Sequence, residues 1–187
     1  MREGIKAVDM FDAVADGRIK GLWVMATNPV VSMPRADTVL AGLDRLELFV
    51  ASDNVIGADT VVRAPIRLPA CGWGEKDGTV TNSERRISRQ RAFLAPPGEA
   101  KPDWWIVCEV AKRMGFGDAF AFRSPADIFA EHAALSAFEN AGDRDFDLGG
   151  VATLSEADYN ALAPLQWPQR QGTRGEASRF FAEGDFF

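Results

Sequence analysis

The chain has 187 residues, of which 47% are hydrophobic and 26% charged, a size and composition typical of one soluble globular domain. Its net charge of −6 argues against a general nucleic-acid binder, although residues 85–91 are locally basic. The distant pair Cys71 and Cys108 supports neither a disulfide framework nor a zinc site. With no apolar run of membrane-spanning length and no signal peptide, we expect a cytoplasmic protein without a membrane partner.

The first seventy residues alternate between helical and strand patterns. Helical patterns are found at 7–17, after Pro34 and at 58–63. Continuous apolar runs of strand length lie at 21–27, 46–52 and 65–70. This alternation predicts an α/β fold built on a partial doubly wound, Rossmann-like parallel sheet flanked by helices.

The remainder of the chain is predicted to be mostly helical and irregular. Residues 73–91 form a polar, irregular segment, and Asp103 is predicted as the N-cap of a helix that ends at Gly115. Capping patterns beginning at Ser124 and Ser155 open two further helices. We therefore predict a domain portion at 1–163 and an irregular tail or linker at 164–187, which ends in the aromatic stretch 180–187.

Polar side chains follow each of the three predicted strands. In parallel sheets the carboxyl ends of the strands meet at one edge, where ligands commonly bind. Many α/β proteins would show such a pattern, a charged segment is usually a solvated surface, and Ser52 could simply cap a turn. The candidate binding residues identified in this way are Thr27, Asn28, Ser52, Asp53, Glu75 and Lys76.

Four stretches, read together, resemble one family. They are GLWVMATNPVVSMP (21–34), VASD (50–53), LPACGWGEKDGTVTNSERRISRQRAFL (68–94) and PPGEAKPDWWIVCEVAKRMGFG (96–117). The chain is similar to the catalytic subunit of bacterial assimilatory nitrate reductase, a molybdenum enzyme of the dimethyl sulfoxide reductase superfamily. The resemblance implies reduction of nitrate to nitrite by the intact enzyme.

The resemblance also implies a cofactor, bis(molybdopterin guanine dinucleotide), of which this chain would hold one guanine dinucleotide. Matching positions that contact the cofactor are Asn28, Ser52, Asp53, Lys76 and Asp103, with Thr27 and Glu75 beside them. A carboxylate can accept both N–H groups on one guanine edge, so Asp53 or Asp103 suits that base, with a ribose diol as the competing target. Lys76 suits a diphosphate, and Gly74 and Gly78 would let the backbone approach it.

Other parts of such an enzyme are expected outside this chain. The resemblance places an iron–sulfur cluster and the molybdenum-ligating cysteine upstream, and a further cofactor-binding domain downstream. We therefore interpret the chain as an internal module that is inactive alone, with no catalytic or metal-binding residue of its own. Its expected partners are the remaining domains and an electron donor, and an exposed sheet edge could support a homodimer.

Two alternatives accompany this interpretation. One is a fragment of a formate dehydrogenase-like molybdenum enzyme, and the other is a stand-alone, non-catalytic α/β scaffold domain. The arginines of residues 85–91 are expected to make surface or inter-domain contacts rather than to bind phosphate. His132 is expected to be a structural or surface residue, and Cys71 a small buried hydrophobic residue.

Overall fold

The computed structural model describes residues 4–172, which divide into two compact units. Residues 4–75 and 94–115 form the first unit, and residues 76–93 and 116–172 form the second. The interpretation of 1–163 as one domain portion did not anticipate this division. Each unit is assembled from segments distant in the chain, so no local change in composition marks the boundary.

The first unit contains a three-stranded parallel sheet. Its strands are β1 (Gly21–Met25), β2 (Leu48–Asp53) and β3 (Ile66–Pro69), in the order β1-β2-β3. A single parallel bridge between Ala70 and Lys101 lies just beyond β3. The predicted α/β class with a parallel sheet flanked by helices is therefore confirmed.

Five α-helices of the described residues accompany this sheet: α1 (Ala7–Ala15), α2 (Pro29–Ser32), α3 (Ala36–Leu43), α4 (Asp59–Arg63) and α5 (Asp103–Arg113). Alternate residues of the strands point to one face, where they join apolar side chains of α1 to α4. This cluster is the core of the first unit, and each buried Val, Leu or Phe side chain in it contributes about 1.5–3 kcal/mol to stability. Its buried members are Phe11, Val24, Val30, Val39, Leu43, Phe49, Ala51, Val61 and Ala64.

The N-cap predicted for α5 is wrong by one residue. Pro102, not Asp103, precedes the helix, and the Pro102 carbonyl accepts hydrogen bonds from the amides of Trp105 at 3.0 Å and Ile106 at 3.2 Å. The proline ring fixes φ near −58°, which suits the entry into the helix. Asp103 is instead the first helical residue, where its negative charge interacts favourably with the helix dipole.

The second unit contains an antiparallel sheet where the sequence suggested an irregular segment. Strands β4 (Gly78–Thr81) and β5 (Arg86–Gln90) form a hairpin, and β6 (Leu165–Gln166) pairs antiparallel with β5. The irregular interpretation of 73–91 is therefore wrong for the hairpin strands. Strands of such a sheet usually alternate buried apolar and exposed polar residues. Here one of the buried positions carries a long polar side chain, so the sequence does not show that alternation.

That buried polar residue is Arg89, whose side chain is only 3% exposed. Its guanidinium lies 4.1 Å from the centre of the Tyr159 ring and donates hydrogen bonds of 3.1 Å to the Tyr159 hydroxyl and to Asn160 Oδ1. Arg85 lies over the Trp167 ring in the same unit. The expected surface or inter-domain contact is therefore wrong for Arg89, which packs inside the second unit.

Two helices complete the second unit, α6 (Pro125–Ala137) and α7 (Glu156–Asn160). Both predicted caps are confirmed, since the hydroxyl of Ser124 accepts from the Asp127 amide at 3.4 Å and that of Ser155 from the Asp158 amide at 3.1 Å. His132 is exposed on α6, as predicted.

Part of the tail predicted from residue 164 forms regular backbone hydrogen bonds with earlier segments of the chain. In addition to β6, the Gln169 amide donates to the Asp147 carbonyl at 2.6 Å, and the Gly150 amide donates to the Gln169 carbonyl at 2.7 Å. These pairings join positions about twenty residues or more apart, so the sequence around 164–172 carried no sign of them. The aromatic stretch 180–187 lies outside the described residues.

The contact at Gly150 leads to a prediction. A Cβ at this position would lie 2.9 Å from the backbone carbonyl oxygens of Gln169 and Arg170, which cannot swing aside as a side chain would. We expect Gly150→Ala to lower the free energy of unfolding by about 1–3 kcal/mol, measured by urea denaturation. Gly117→Ala is the control, because no atom lies within 4 Å of a Cβ there. Equal losses in the two variants would contradict the prediction.

Candidate functional site

The register of the first sheet brings the predicted binding residues that follow β1 and end β2 to one edge. Met25 lies opposite Ser52, and Asp53 lies opposite Pro69. The amide of Ala26, which follows β1, donates to the Ser52 carbonyl at 2.9 Å. The loops after β1 and β2 therefore start side by side at the carboxyl edge.

Asp103 reaches the same edge by a different route. The Lys101 amide donates to the Pro69 carbonyl at 3.1 Å, and the Cys71 amide donates to the Lys101 carbonyl at 3.0 Å. The chain around Lys101 thus runs beside the end of β3, and α5 begins two residues later. The sequence did not predict this arrangement, which places Asp103 at the carboxyl edge.

The loop after β1 holds Thr27 and Asn28 in different environments. Thr27 is exposed, and Ala26 before it has a positive φ of 51°. The Asn28 side chain is half-buried, and its Oδ1 accepts hydrogen bonds from the Thr60 hydroxyl at 2.6 Å and the Thr60 amide at 3.2 Å. Its Nδ2 donates to Asp59 at 3.4 Å. Asn28 is therefore fixed to the start of α4.

Ser52 is 1% exposed and its hydroxyl accepts a 2.6 Å hydrogen bond from the Trp23 indole. The serine lies inside β2 rather than in a turn after it, so the turn-capping alternative is wrong. The Trp23 contact satisfies this buried hydroxyl and ties β1 to β2.

Asp53 ends β2 and is half-buried. Its Oδ1 accepts from the Val55 amide at 2.9 Å, which holds the carboxylate at the start of the following loop. A carboxylate has about four acceptor sites, so this bond leaves capacity for a ligand. Asp53 also lines a cavity of about 130 Å³. The other residues of this cavity are mostly apolar: Ala51, Asn54, Ile56, Val61, Arg67, Leu68, Pro69, Ala70, Pro97 and Ala100.

Glu75 folds back onto its own turn. It ends the 3-10 helix Trp73–Glu75, and its Oε2 accepts from the Gly72 amide at 2.7 Å. A Cβ on Gly72 would lie 3.3 Å from Nδ2 of Asn54, so glycine allows the loops after β2 and β3 to approach closely. Gly78 has no protein atom within 4 Å of a Cβ position, and its expected role, an approach of the backbone to the diphosphate, stays a prediction.

The two remaining candidates are Lys76 and Asp103. Lys76 is half-buried and is the first residue of the second unit, so its role as a diphosphate ligand stays a prediction. Asp103 is half-buried, and its Oδ1 is shielded from solvent.

Sequence reasoning missed four residues that shape this edge: Trp23, Asn54, Thr60 and Gly72. Thr60 was interpreted only as part of the helical pattern at 58–63. The Asn28–Thr60 contact spans 32 residues, so no local pattern reveals it. Within residues 4–172, no group of three or more His, Cys, Asp or Glu side chains could hold a metal ion, and no helix is long and apolar enough to cross a membrane.

Comparison with known proteins gives the class. A profile described as molybdopterin oxidoreductase matches residues 1–113. A solved structure, acetylene hydratase from Pelobacter acetylenicus, has a TM-score of 0.62 over 84% of this chain and 20% of its own, at 20% identity, and so shares the fold. This chain belongs to the molybdopterin oxidoreductase family.

Individual relatives narrow the comparison. The nitrate reductase of Klebsiella oxytoca is 55% identical over 88% of this chain and 19% of its own length. The nitrate reductase of Shewanella frigidimarina is 49% identical over 99% of this chain and 20% of its own length. The assimilatory nitrate reductase catalytic subunit of Bacillus subtilis is 37% identical over 97% of this chain and 24% of its own length. The chain spans about a fifth of the length of the curated relatives it matches.

The cysteines at this edge and on α5 give a testable prediction. Cys71 and Cys108 are both buried, and burial raises the pKa of the Cys108 thiol, which lowers its thiolate fraction at neutral pH. We expect both thiols to react slowly with Ellman's reagent in the native chain and rapidly after unfolding in guanidinium chloride. Rapid modification of one thiol per native chain would contradict this expectation.

Proposed function

We propose that the first unit binds the guanine nucleotide end of a molybdopterin guanine dinucleotide, as part of a molybdenum oxidoreductase that reduces nitrate to nitrite. The observation that carries the proposal is the meeting of Asn28, Asp53 and Asp103 at the carboxyl edge of a parallel sheet, in a chain of the molybdopterin oxidoreductase family. Such an edge is the usual ligand position in open α/β sheets.

The chemistry of the edge fits a purine nucleotide. The cavity beside Asp53 is lined mainly by apolar side chains, which suit the faces of a purine ring. The Asp53 carboxylate lies on its wall and can accept the two N–H groups on one guanine edge. Asp103 offers a second carboxylate at the same edge, suited to the same base edge or to a ribose diol.

The other predicted contacts extend the proposal beyond the base. Thr27 is exposed in the loop after β1 and would face the sugar or phosphate. Ser52 and Glu75 would act mainly through the backbone they hold, because their side chains are engaged by Trp23 and Gly72. Lys76 would neutralise diphosphate charge.

The bound cofactor would supply oxygen-atom transfer at molybdenum, while this chain positions one of its nucleotide ends. The proposed intact enzyme is cytoplasmic and carries a second guanine dinucleotide. Its iron–sulfur cluster and molybdenum-ligating cysteine lie in sequence outside this chain. Its other domains and an electron donor are the proposed partners, and the outer edge of β1 is the proposed surface for a homodimer.

Nitrate is favoured over formate by the relatives. The nitrate reductases match 88% to 99% of this chain at up to 55% identity. Formate dehydrogenases also match, and the F420-dependent formate dehydrogenase subunit alpha of Methanocaldococcus jannaschii is 40% identical over 68% of the chain. Formate oxidation is therefore the second candidate.

A binding experiment tests the nucleotide site. We expect the chain to bind GDP more tightly than ADP, because adenine lacks the paired N–H donors that a carboxylate accepts. Asp53→Asn should weaken GDP binding by about tenfold to a hundredfold, measured by calorimetry, and should leave ADP binding unchanged. Asp103→Asn, measured in parallel, decides which carboxylate receives the base.

Asp44→Asn is the matched control for this experiment. Asp44 is exposed, precedes β2 at the opposite edge of the sheet and pairs with Arg63. The Asp44→Asn variant should bind GDP with the affinity of the unaltered chain. Equal affinity for GDP and ADP in the unaltered chain would refute guanine recognition at this edge.

The activity is tested on the complete gene product. We expect the reading frame around this sequence to encode an upstream cysteine cluster, and the expressed protein to reduce nitrate. Growth with tungstate in place of molybdate should abolish that activity. Formate oxidation without nitrate reduction would favour the second candidate. Stop codons flanking this sequence would favour the stand-alone scaffold.

A further inference from the structure

We propose that Thr60 is a positioning residue, which fixes the side-chain amide of Asn28 so that it can only donate a hydrogen bond to the nucleotide. This inference rests on the proposed function and deepens it, because it names the chemistry that Asn28 offers. Thr60 lies in α4 and is 0% exposed, so it does not touch a ligand itself.

The orientation of the amide follows from the donors around it. The Thr60 backbone amide is 3.2 Å from Oδ1 of Asn28, and a backbone N–H can only donate. The atom that faces Thr60 must therefore be the carbonyl oxygen of the Asn28 side chain, not its nitrogen. A flipped amide would set two donors against each other.

The Thr60 hydroxyl strengthens this assignment. Its oxygen accepts from the Val30 amide at 3.3 Å, and its proton is directed to Asn28 Oδ1 at 2.6 Å. A chain of hydrogen bonds thus runs from Val30 through Thr60 to Asn28, in a buried setting where such bonds reinforce one another. These hydrogen bonds also join the loop after β1 to α4.

The consequence lies in what remains available on Asn28. Both hydrogen bonds from Thr60 go to Oδ1, whereas Nδ2 has only a long contact of 3.4 Å to Asp59 among the described residues. An amide nitrogen has two N–H groups, so one remains for a ligand. Asn28 would therefore recognise an acceptor oxygen, from a phosphate or a ribose, and not a base donor.

Three variants of the 187-residue chain separate the roles. Thr60→Val keeps the shape and removes the hydroxyl, whereas Thr60→Ser retains it and is the matched control. Asn28→Asp keeps both acceptor contacts to Thr60 and removes the N–H donor. We expect Thr60→Val and Asn28→Asp each to weaken GDP binding by about tenfold, and Thr60→Ser to bind nearly as the unaltered chain does.

Guanosine distinguishes the two sources of the acceptor oxygen. A loss in Thr60→Val that appears with GDP and disappears with guanosine assigns the contact to phosphate. A loss of equal size with both assigns it to ribose. Unchanged GDP binding in Thr60→Val, with Asp53→Asn still impaired, overturns the positioning role and leaves the proposed function standing.

A measurement without ligand tests the positioning separately. In NMR spectra of the free chain, the Asn28 side-chain NH₂ resonances should shift in Thr60→Val and stay in place in Thr60→Ser. Unshifted resonances in Thr60→Val would overturn the inference. Failure of the unaltered chain to bind GDP would overturn the nucleotide site together with the donor role of Asn28.

Discussion

The parallel pairing of β1, β2 and β3 is the constraint on which the rest of the first unit depends. Parallel strands present their carboxyl ends to one edge, so the loops that follow them must begin side by side. The parallel bridge between Ala70 and Lys101 continues the parallel pairing beyond β3, so that α5 begins at the same edge. Residues far apart in sequence, such as Asp53 and Asp103, thereby reach the same edge of the sheet.

Buried polar groups then decide what each loop can offer. Ser52 and Thr60 are almost completely enclosed, and both have their hydroxyls satisfied by partners from other elements. An unsatisfied hydroxyl in such a place costs about 1–3 kcal/mol, so these contacts fix geometry as well as contribute stability. Asp53 and the amide nitrogen of Asn28 keep hydrogen-bonding capacity for a ligand beside the contacts that hold them.

The second unit handles charge differently. The arginines of its basic run were expected at the surface or between domains, but Arg89 is buried among Tyr159, Asn160 and backbone carbonyls. A guanidinium has five donors and a flat face, and this environment engages the terminal nitrogens Nη1 and Nη2 together with that face. The same residue type can therefore serve as a structural centre or as a ligand for phosphate, and only its burial distinguishes the two.

The sequence by itself determined the alternation of helices and strands, the polar residues at the strand ends, the caps at Ser124 and Ser155, and a resemblance that the family match confirms. These features are local, because periodicity, capping and motifs involve residues close together in the chain. The tertiary structure alone decided the division into two units, the pairing of β6 with β5 and the hold of Thr60 on Asn28. The last two join residues about 80 and about 30 positions apart. Such contacts depend on burial and on the need to satisfy buried hydrogen-bonding groups, which no local sequence pattern shows.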